Sequence, residues 1–189
     1  RAADKATLRR GLAHLARHGI TSFQNMDGNP YQLELLRELE AADHLTARGR
    51  IPFHFKNFMT LDALETASRM DRDYRGEMVT SGFVKLFVDG VIDSSTAVMI
   101  DGYADQPGVK CDPLFTAAAF TEVAIEADRR GLQIAVHAIG DGAVRMVLDG
   151  YQAAARANGL RGIRHRIEHI ELIHPDDIDR FAALGVIAS

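Results

Sequence analysis

The stretch Phe83-Val84-Lys85-Leu86-Phe87-Val88-Asp89-Gly90 decides how the rest of the chain is read. Apolar, aromatic and β-branched residues running into Asp-Gly describe a buried strand that stops at a turn. Residues 89–114, rich in Asp, Ser, Gly and Pro, follow before the next helical pattern. A long polar segment directly after a strand is a place where α/β enzymes keep their chemistry.

Working outward, six helical patterns alternate with six short apolar runs. Downstream, Thr116 precedes a helix over Ala117–Arg130 with Phe120, Val123, Ala124 and Ala127 on one face, and Gly131 stops it. Strand Leu132 to His137 passes through Gly140-Asp141-Gly142 into a helix over Ala143–Asn158. Strand Ile163 to Ile170, a helix over Pro175–Leu184 and a strand beginning at Val186 complete this half. Upstream lie a helix from Asp4 to His18, strand Ile20–Phe23, a helix from Pro30 to Arg48 stopped by Gly49, strand Ile51–Lys56, and a helix from Leu61 to Arg72 capped by Thr60.

Strands separated by helices require crossover connections and a parallel sheet, so the class is α/β. Two architectures fit, an open doubly wound sheet and a (β/α)₈ TIM barrel. The first wants G-x-G-x-x-G after a strand; Gly140-Asp141-Gly142 lacks the third glycine, because Arg145 stands there. The barrel is therefore favoured. Six strands are too few to close it, so residues 1–189 are expected to be a single partial catalytic barrel domain, an incomplete (β/α)₈ barrel holding roughly strands 2 to 7. The opening at Arg1 and the ending Gly185-Val186-Ile187-Ala188-Ser189, a strand just starting, agree with a fragment whose first and last barrel strands are absent.

Composition narrows the function. Of 189 residues, 47% are hydrophobic and 25% charged, which suits a globular core. The 22 basic and 26 acidic residues give a charge of −4 with no Lys/Arg block, which argues against nucleic acid or an anionic membrane as partner. No apolar stretch is long enough to span a bilayer. Cys111 is the only cysteine and cannot form an internal disulfide, which fits a reducing, cytoplasmic setting.

Strand alternation then selects candidates for chemistry. Side chains share a face at every second residue, which groups Phe83, Lys85 and Phe87; Gln133, Ala135 and His137; and His165, Ile167 and His169. Three successive strands can thus each send one side chain, Lys85, His137 and His169, to one barrel mouth. Two imidazoles at adjacent strand ends begin a zinc or iron site. A lysine beside them repels a cation unless its amine carries carbon dioxide as an anionic carbamate.

The segments Gly82-Phe-Val-Lys85-Leu-Phe-Val-Asp89-Gly90, Val136-His137-Ala138-Ile139-Gly140-Asp141, Arg166-Ile167-Glu168-His169 and the Leu-Gly-Val-Ile-Ala-Ser end resemble the YtcJ-like branch, amidohydrolase family 3, of the metal-dependent amidohydrolases. The motifs stand in the family's order and cover most of the chain from Gly82 onward. The resemblance implies a distorted (β/α)₈ barrel, one or two divalent ions (usually zinc), and hydrolysis of an amide-type C–N bond in a small molecule by metal-activated water. It identifies Lys85, with a carbamate, as the fourth-strand lysine, and His137 and His169 as the fifth- and sixth-strand histidines.

The family's first-strand His-x-His pair and eighth-strand Asp have no counterpart in these residues, so turnover is not expected of the chain alone. Ser95 stands where many relatives have arginine. Asp89 is read as a catalytic candidate facing the mouth, near water or substrate. Ser95 and Asp141 are read as substrate-binding candidates, with helix capping the first reading for Asp141. His165, four residues before His169, is about 13 Å from it along a strand and is read as core. His54 and Lys56 are read as structural. Arg166 and Glu168 are expected to make a polar contact behind the barrel wall. Two other readings stay open: a barrel lyase or aldolase with Lys85 as a Schiff base, and a non-catalytic barrel remnant. An incomplete barrel exposes strand edges, so pairing into a homo-oligomer is expected.

Overall fold

The computed structural model describes residues 1–189, which group into two compact units: Arg1–His54 with Leu64–Phe83, and Phe55–Ala63 with Val84–Ser189.

The first unit contains α1 (Ala2–Arg17), β1 (Ser22–Gln24), α2 (Pro30–Ala41), β2 (Arg48–Arg50), β3 (Phe53–His54), α3 (Leu64–Asp73) and β4 (Val79–Thr80). Asn29 caps α2 by accepting from the Gln32 amide at 3.1 Å, and Pro30 occupies the first turn, where its missing N–H costs nothing. Strands β1, β2 and β4 lie side by side in parallel, with Phe23 opposite Gly49 and Gly49 opposite Val79. Leu33, Leu36, Ile51, Met70 and Val79 form the core between sheet and helices.

Three sequence expectations change in this half of the chain. The second helix ends at Ala41, because Asp43 takes a left-handed conformation (φ +56°) and turns the chain. Gly49 is then no helix stop but the centre of β2. A Cβ there would come within 2.9 Å of the Phe23 ring, so only glycine lets that ring cross the strand. The 3₁₀ turn Leu61–Ala63 likewise precedes the α-helix expected from Leu61.

The second unit contains most of β5 (Phe83–Phe87), then α4 (Ala117–Arg129), β6 (Gln133–Ala138), α5 (Asp141–Asn158), β7 (Arg166–His169), α6 (Ile178–Leu184) and β8 (Ile187–Ala188). Strands β5, β6, β7 and β8 are neighbours in that order, and the pairs β6–β7 and β7–β8 are parallel. This is the α/β class read from the sequence; no closed ring of strands is present in these residues.

Thr116 caps α4 through its hydroxyl, which accepts from Ala119 N at 3.1 Å. Phe120, Val123, Ala124 and Ala127 of α4 and Val144, Val147, Leu148 and Tyr151 of α5 are all buried. At about 25 cal/mol per Å² of apolar surface, such faces supply the main driving force for docking helices on a sheet. The helices approach closely at Gly150, where a Cβ would meet the Phe120 ring at 2.5 Å. A glycine inside a helix costs about 1 kcal/mol relative to alanine. Here that loss is offset by seating Phe120, which is fully buried.

Candidate active site

The carboxyl ends of β5, β6 and β7 gather the residues that carry the site. Lys85 is 1% exposed, its Nζ donates to the Leu86 carbonyl at 3.0 Å, and it lies 4.0 Å from the centroid of the Phe87 ring. Burial pushes its pKa down from 10.5 to about 8, with Glu168 opposing and Arg166 reinforcing the drop. The Phe87 ring lies 4.9 Å from that of His137, and the His137 and His169 rings meet edge to face at 4.6 Å. Lys85, Phe87, His137 and His169 therefore converge.

His137 is 7% exposed, and its Nε2 lies 2.8 Å from the Gly90 carbonyl. A carbonyl can only accept, so Nε2 carries the proton and Nδ1 presents the lone pair. Burial lowers the pKa of His137, the Gly90 carbonyl opposes that, and the charges of His169 and Lys85 lower it further.

His169 reaches His137 by a route that strict alternation misses. In the β6–β7 register His137 stands opposite Glu168, while His169 stands opposite Ala138. Paired residues point to the same side of a sheet, so continued alternation would send His169 away from His137. Instead β7 ends at His169, which adopts φ +80°, followed by Ile170 at φ +50°. Two consecutive left-handed residues swing the imidazole onto the face of His137.

The same register corrects the expectation for Arg166 and Glu168. They do not sit behind the sheet but share the face of His137, opposite Ala135 and His137 respectively. Arg166 grips Glu168 with two hydrogen bonds of 2.6 and 2.9 Å, and both charges act on Lys85. The misreading came from counting back from His169, where the alternation is broken.

His165 faces the helices as core. Its Nδ1 accepts from Ile134 N at 3.2 Å, its Nε2 lies 3.1 Å from Asp128 Oδ1, and its ring lies 4.9 Å from that of Tyr151. His54, in the first unit, pairs with Asp27 at 2.8 Å.

Asp89 is not placed at an open mouth. Its side chain is fully buried: Oδ1 accepts from Ile139 N at 3.0 Å, and Oδ2 accepts from Val98 N at 3.1 Å and Gly140 N at 2.9 Å. A carboxylate committed to three amides is a clamp between the polar segment and the β6–α5 turn. Asp141 Oδ1 accepts from Ile100 N at 2.9 Å and Gly142 N at 2.8 Å, fastening the same segment to the start of α5. The Val98 carbonyl accepts from Gly142 and Ala143 N, satisfying orphan donors of that helix. Ser95 is left-handed (φ +53°), and its hydroxyl accepts from Gln106 at 3.1 Å, within the segment.

The metal implied by the sequence can be tested against this donor set. No group of three or more His, Cys, Asp or Glu gathers in the chain. Two adjacent imidazoles plus a buried lysine, whose neutral form burial favours, fit one part of a divalent site, provided the amine is converted to an anionic ligand.

The fold and this constellation define a parallel α/β protein with two imidazoles and a buried lysine gathered near the carboxyl ends of its strands. The model described as "Amidohydrolase family" matches residues 1–189, and the chain belongs to that family, the third of its name, as its motifs indicate. It is 39% identical over 113 residues to the Protein LONG AFTER FAR-RED 3 of Arabidopsis thaliana, covering 60% of this chain and 19% of that protein. It is 26% identical over 177 residues to the N-substituted formamide deformylase of Arthrobacter pascens, covering 89% of this chain and 31% of that protein. The crystal structure of a metal-dependent hydrolase from Pyrococcus furiosus superposes with a TM-score of 0.79 at 30% identity, covering 97% of this chain and 37% of that one. The chain thus spans a fifth to a third of the length of these two curated relatives. No helix is long and apolar enough to cross a membrane.

Proposed function

We propose that these residues carry the β5–β7 portion of a divalent-metal site, with zinc the expected ion, in an enzyme that hydrolyses an amide-type C–N bond of a small molecule. The observation that carries the reading is the meeting of His137 and His169 at 4.6 Å beside the buried Lys85. The family and its metal-dependent and deformylase relatives support hydrolysis; the donor set supports the metal.

His137, through Nδ1, and His169 would hold the metal as neutral imidazole ligands. Lys85 would supply a carbamate oxygen once its neutral amine adds carbon dioxide and gives up a proton to solvent. When bound, the metal supplies Lewis acidity and lowers the pKa of water to roughly 7. The chain's own work is positional. Arg166 and Glu168 set the charge around Lys85, Phe87 excludes water from it, and Asp141 and Ser95 hold the polar segment that borders the substrate.

Metal analysis of the full-length protein and its Lys85→Ala variant tests this. Wild type should retain zinc after dialysis. The variant should lose both metal and hydrolysis, with partial recovery in short carboxylic acids that replace the carbamate. A buried amine pushed to about pKa 8 also favours a Schiff-base role for Lys85 as the second reading. Borohydride trapping of substrate on Lys85, with indifference to chelators, would establish that reading instead.

A further inference from the structure

The groups around the outer nitrogen of His137 carry an inference that rests on the proposed metal-ligand role of that residue. Nε2 of His137 lies 2.8 Å from the Gly90 carbonyl and 3.7 Å from Asp89 Oδ1. We propose that Asp89 and the Gly90 carbonyl are positioning elements that lock the His137 imidazole in one tautomer and one orientation, leaving Nδ1 as the nitrogen that ligates.

Three observations fix that carbonyl in place. Gly90 N donates to the Thr96 carbonyl at 2.9 Å, while Thr96 N and Thr96 Oγ1 bond the carbonyl and amide of Val91 at 3.1 and 2.9 Å. A Cβ on Gly90 would overlap the Thr96 hydroxyl, so the turn closes this tightly only around glycine. The Asp89 carboxylate joins the end of β5 to Val98 in the polar segment and to Ile139 and Gly140, the residues just beyond His137-Ala138. The clamp therefore holds both partners of the Nε2 contact, the strand that carries His137 and the turn that presents Gly90. Asparagine at position 89 can keep one oxygen acceptor but would aim an NH₂ group at amide donors that now share the other oxygen.

Ligating histidines held by an outer hydrogen-bond partner lose about 10–100-fold in metal affinity when that partner is disturbed. Asp89 thus acts through His137 and touches no reacting atom, and Thr96 acts one step further out.

The test uses full-length protein labelled with ¹⁵N-histidine, without metal, in long-range ¹H–¹⁵N spectra, with His137 assigned by its loss in His137→Gln. Wild type should show a single neutral tautomer protonated on Nε2. Asp89→Asn and Thr96→Val should show mixed or exchange-broadened tautomers and a Co²⁺ affinity about 10–100-fold weaker, and Thr96→Ser, which keeps the hydroxyl, should restore both. If Asp89→Asn does not fold, the Thr96→Val and Thr96→Ser pair decides alone. A wild-type His137 protonated on Nδ1, or variants whose tautomer matches wild type, would overturn the proposal. Tautomer changes in a protein that binds no Co²⁺ would leave the positioning role standing and remove the metal reading instead.

Discussion

His137 and His169 stand one register step apart on neighbouring parallel strands, and their rings touch only because His169 leaves the strand conformation at φ +80°. Non-glycine residues pay roughly 1–2 kcal/mol in the left-handed region, with Asn, Asp and His the best tolerated and β-branched residues the worst. His169→Asn is therefore expected to unfold at nearly the wild-type denaturant midpoint, whereas His169→Val should lose about 1–2 kcal/mol. Under the proposed ligand role of His169, both should weaken metal retention. Equal stability of the two variants in urea titrations would show that the backbone at 169 is not strained.

Ile170 carries the same strain in a more costly form, since a β-branched side chain occupies φ +50°. Such strain persists where surrounding structure enforces it. Here Ile170 N donates to the Ala138 carbonyl at 3.2 Å and Leu172 N to Ile139 at 3.0 Å, tying the bend to the end of β6. Ile170→Gly should raise the unfolding free energy by about 1 kcal/mol while loosening His169. A destabilised Ile170→Gly variant in the same titration would contradict this.

Acid sensitivity should come in part from His165. Burial lowers its pKa, against the opposing pull of Asp128. The groups facing it are Asp128 Oδ1, the Ile134 N–H and the Tyr151 ring, and the N–H, itself a donor, cannot accept a hydrogen bond from a protonated Nδ1. The unfolded chain therefore binds a proton near pH 6.5 that the folded chain refuses until lower pH. Stability from this group is full above pH 6.5 and falls as pH drops through the window below it. His137, also lowered, contributes with the same sign. Urea midpoints measured between pH 7.5 and about 5 should fall less steeply for His165→Gln than for wild type; parallel curves would exclude His165 as a source.

Arg166 and Glu168 form a largely buried, doubly bonded pair on the face of Lys85. Removing one partner of such a pair typically costs 3–5 kcal/mol, whereas replacing both with apolar residues is often neutral. Arg166→Met should thus destabilise by about 3 kcal/mol and Arg166→Met/Glu168→Leu by much less. Thermal unfolding of the two variants checks this, and equal losses would mean that the pair is not coupled.

Much of the fold was legible because the signals were local. Thr116, Gly131 and the Phe120-Val123-Ala124-Ala127 face mark α4 without tertiary information. Lys85 and His137 fall on one face by simple alternation. Strand β2, Arg48-Gly49-Arg50, was not legible, because its polar residues reflect a partner strand and the Phe23 ring rather than an apolar pattern. Strand β4 spans only Val79–Thr80, too short for periodicity. At β7 alternation does not give the observed neighbours. His169 joins His137 through a backbone break that alternation cannot show, and the same count misplaced Arg166 and Glu168. Asp89 reads in sequence as a catalytic candidate facing the mouth; its three amide partners come from chain segments 9 to 51 residues away, and only the fold brings them together.

The most direct measurement is anomalous diffraction at the zinc edge from crystals of the full-length protein grown with zinc and bicarbonate. A peak should lie within ligand distance of His137 Nδ1 and His169, with density for a carbamate on Lys85 Nζ reaching toward it. A peak confined to surface histidines such as the His14–His18 pair, whose rings lie 4.6 Å apart, or none between the two site imidazoles, would contradict the metal assignment.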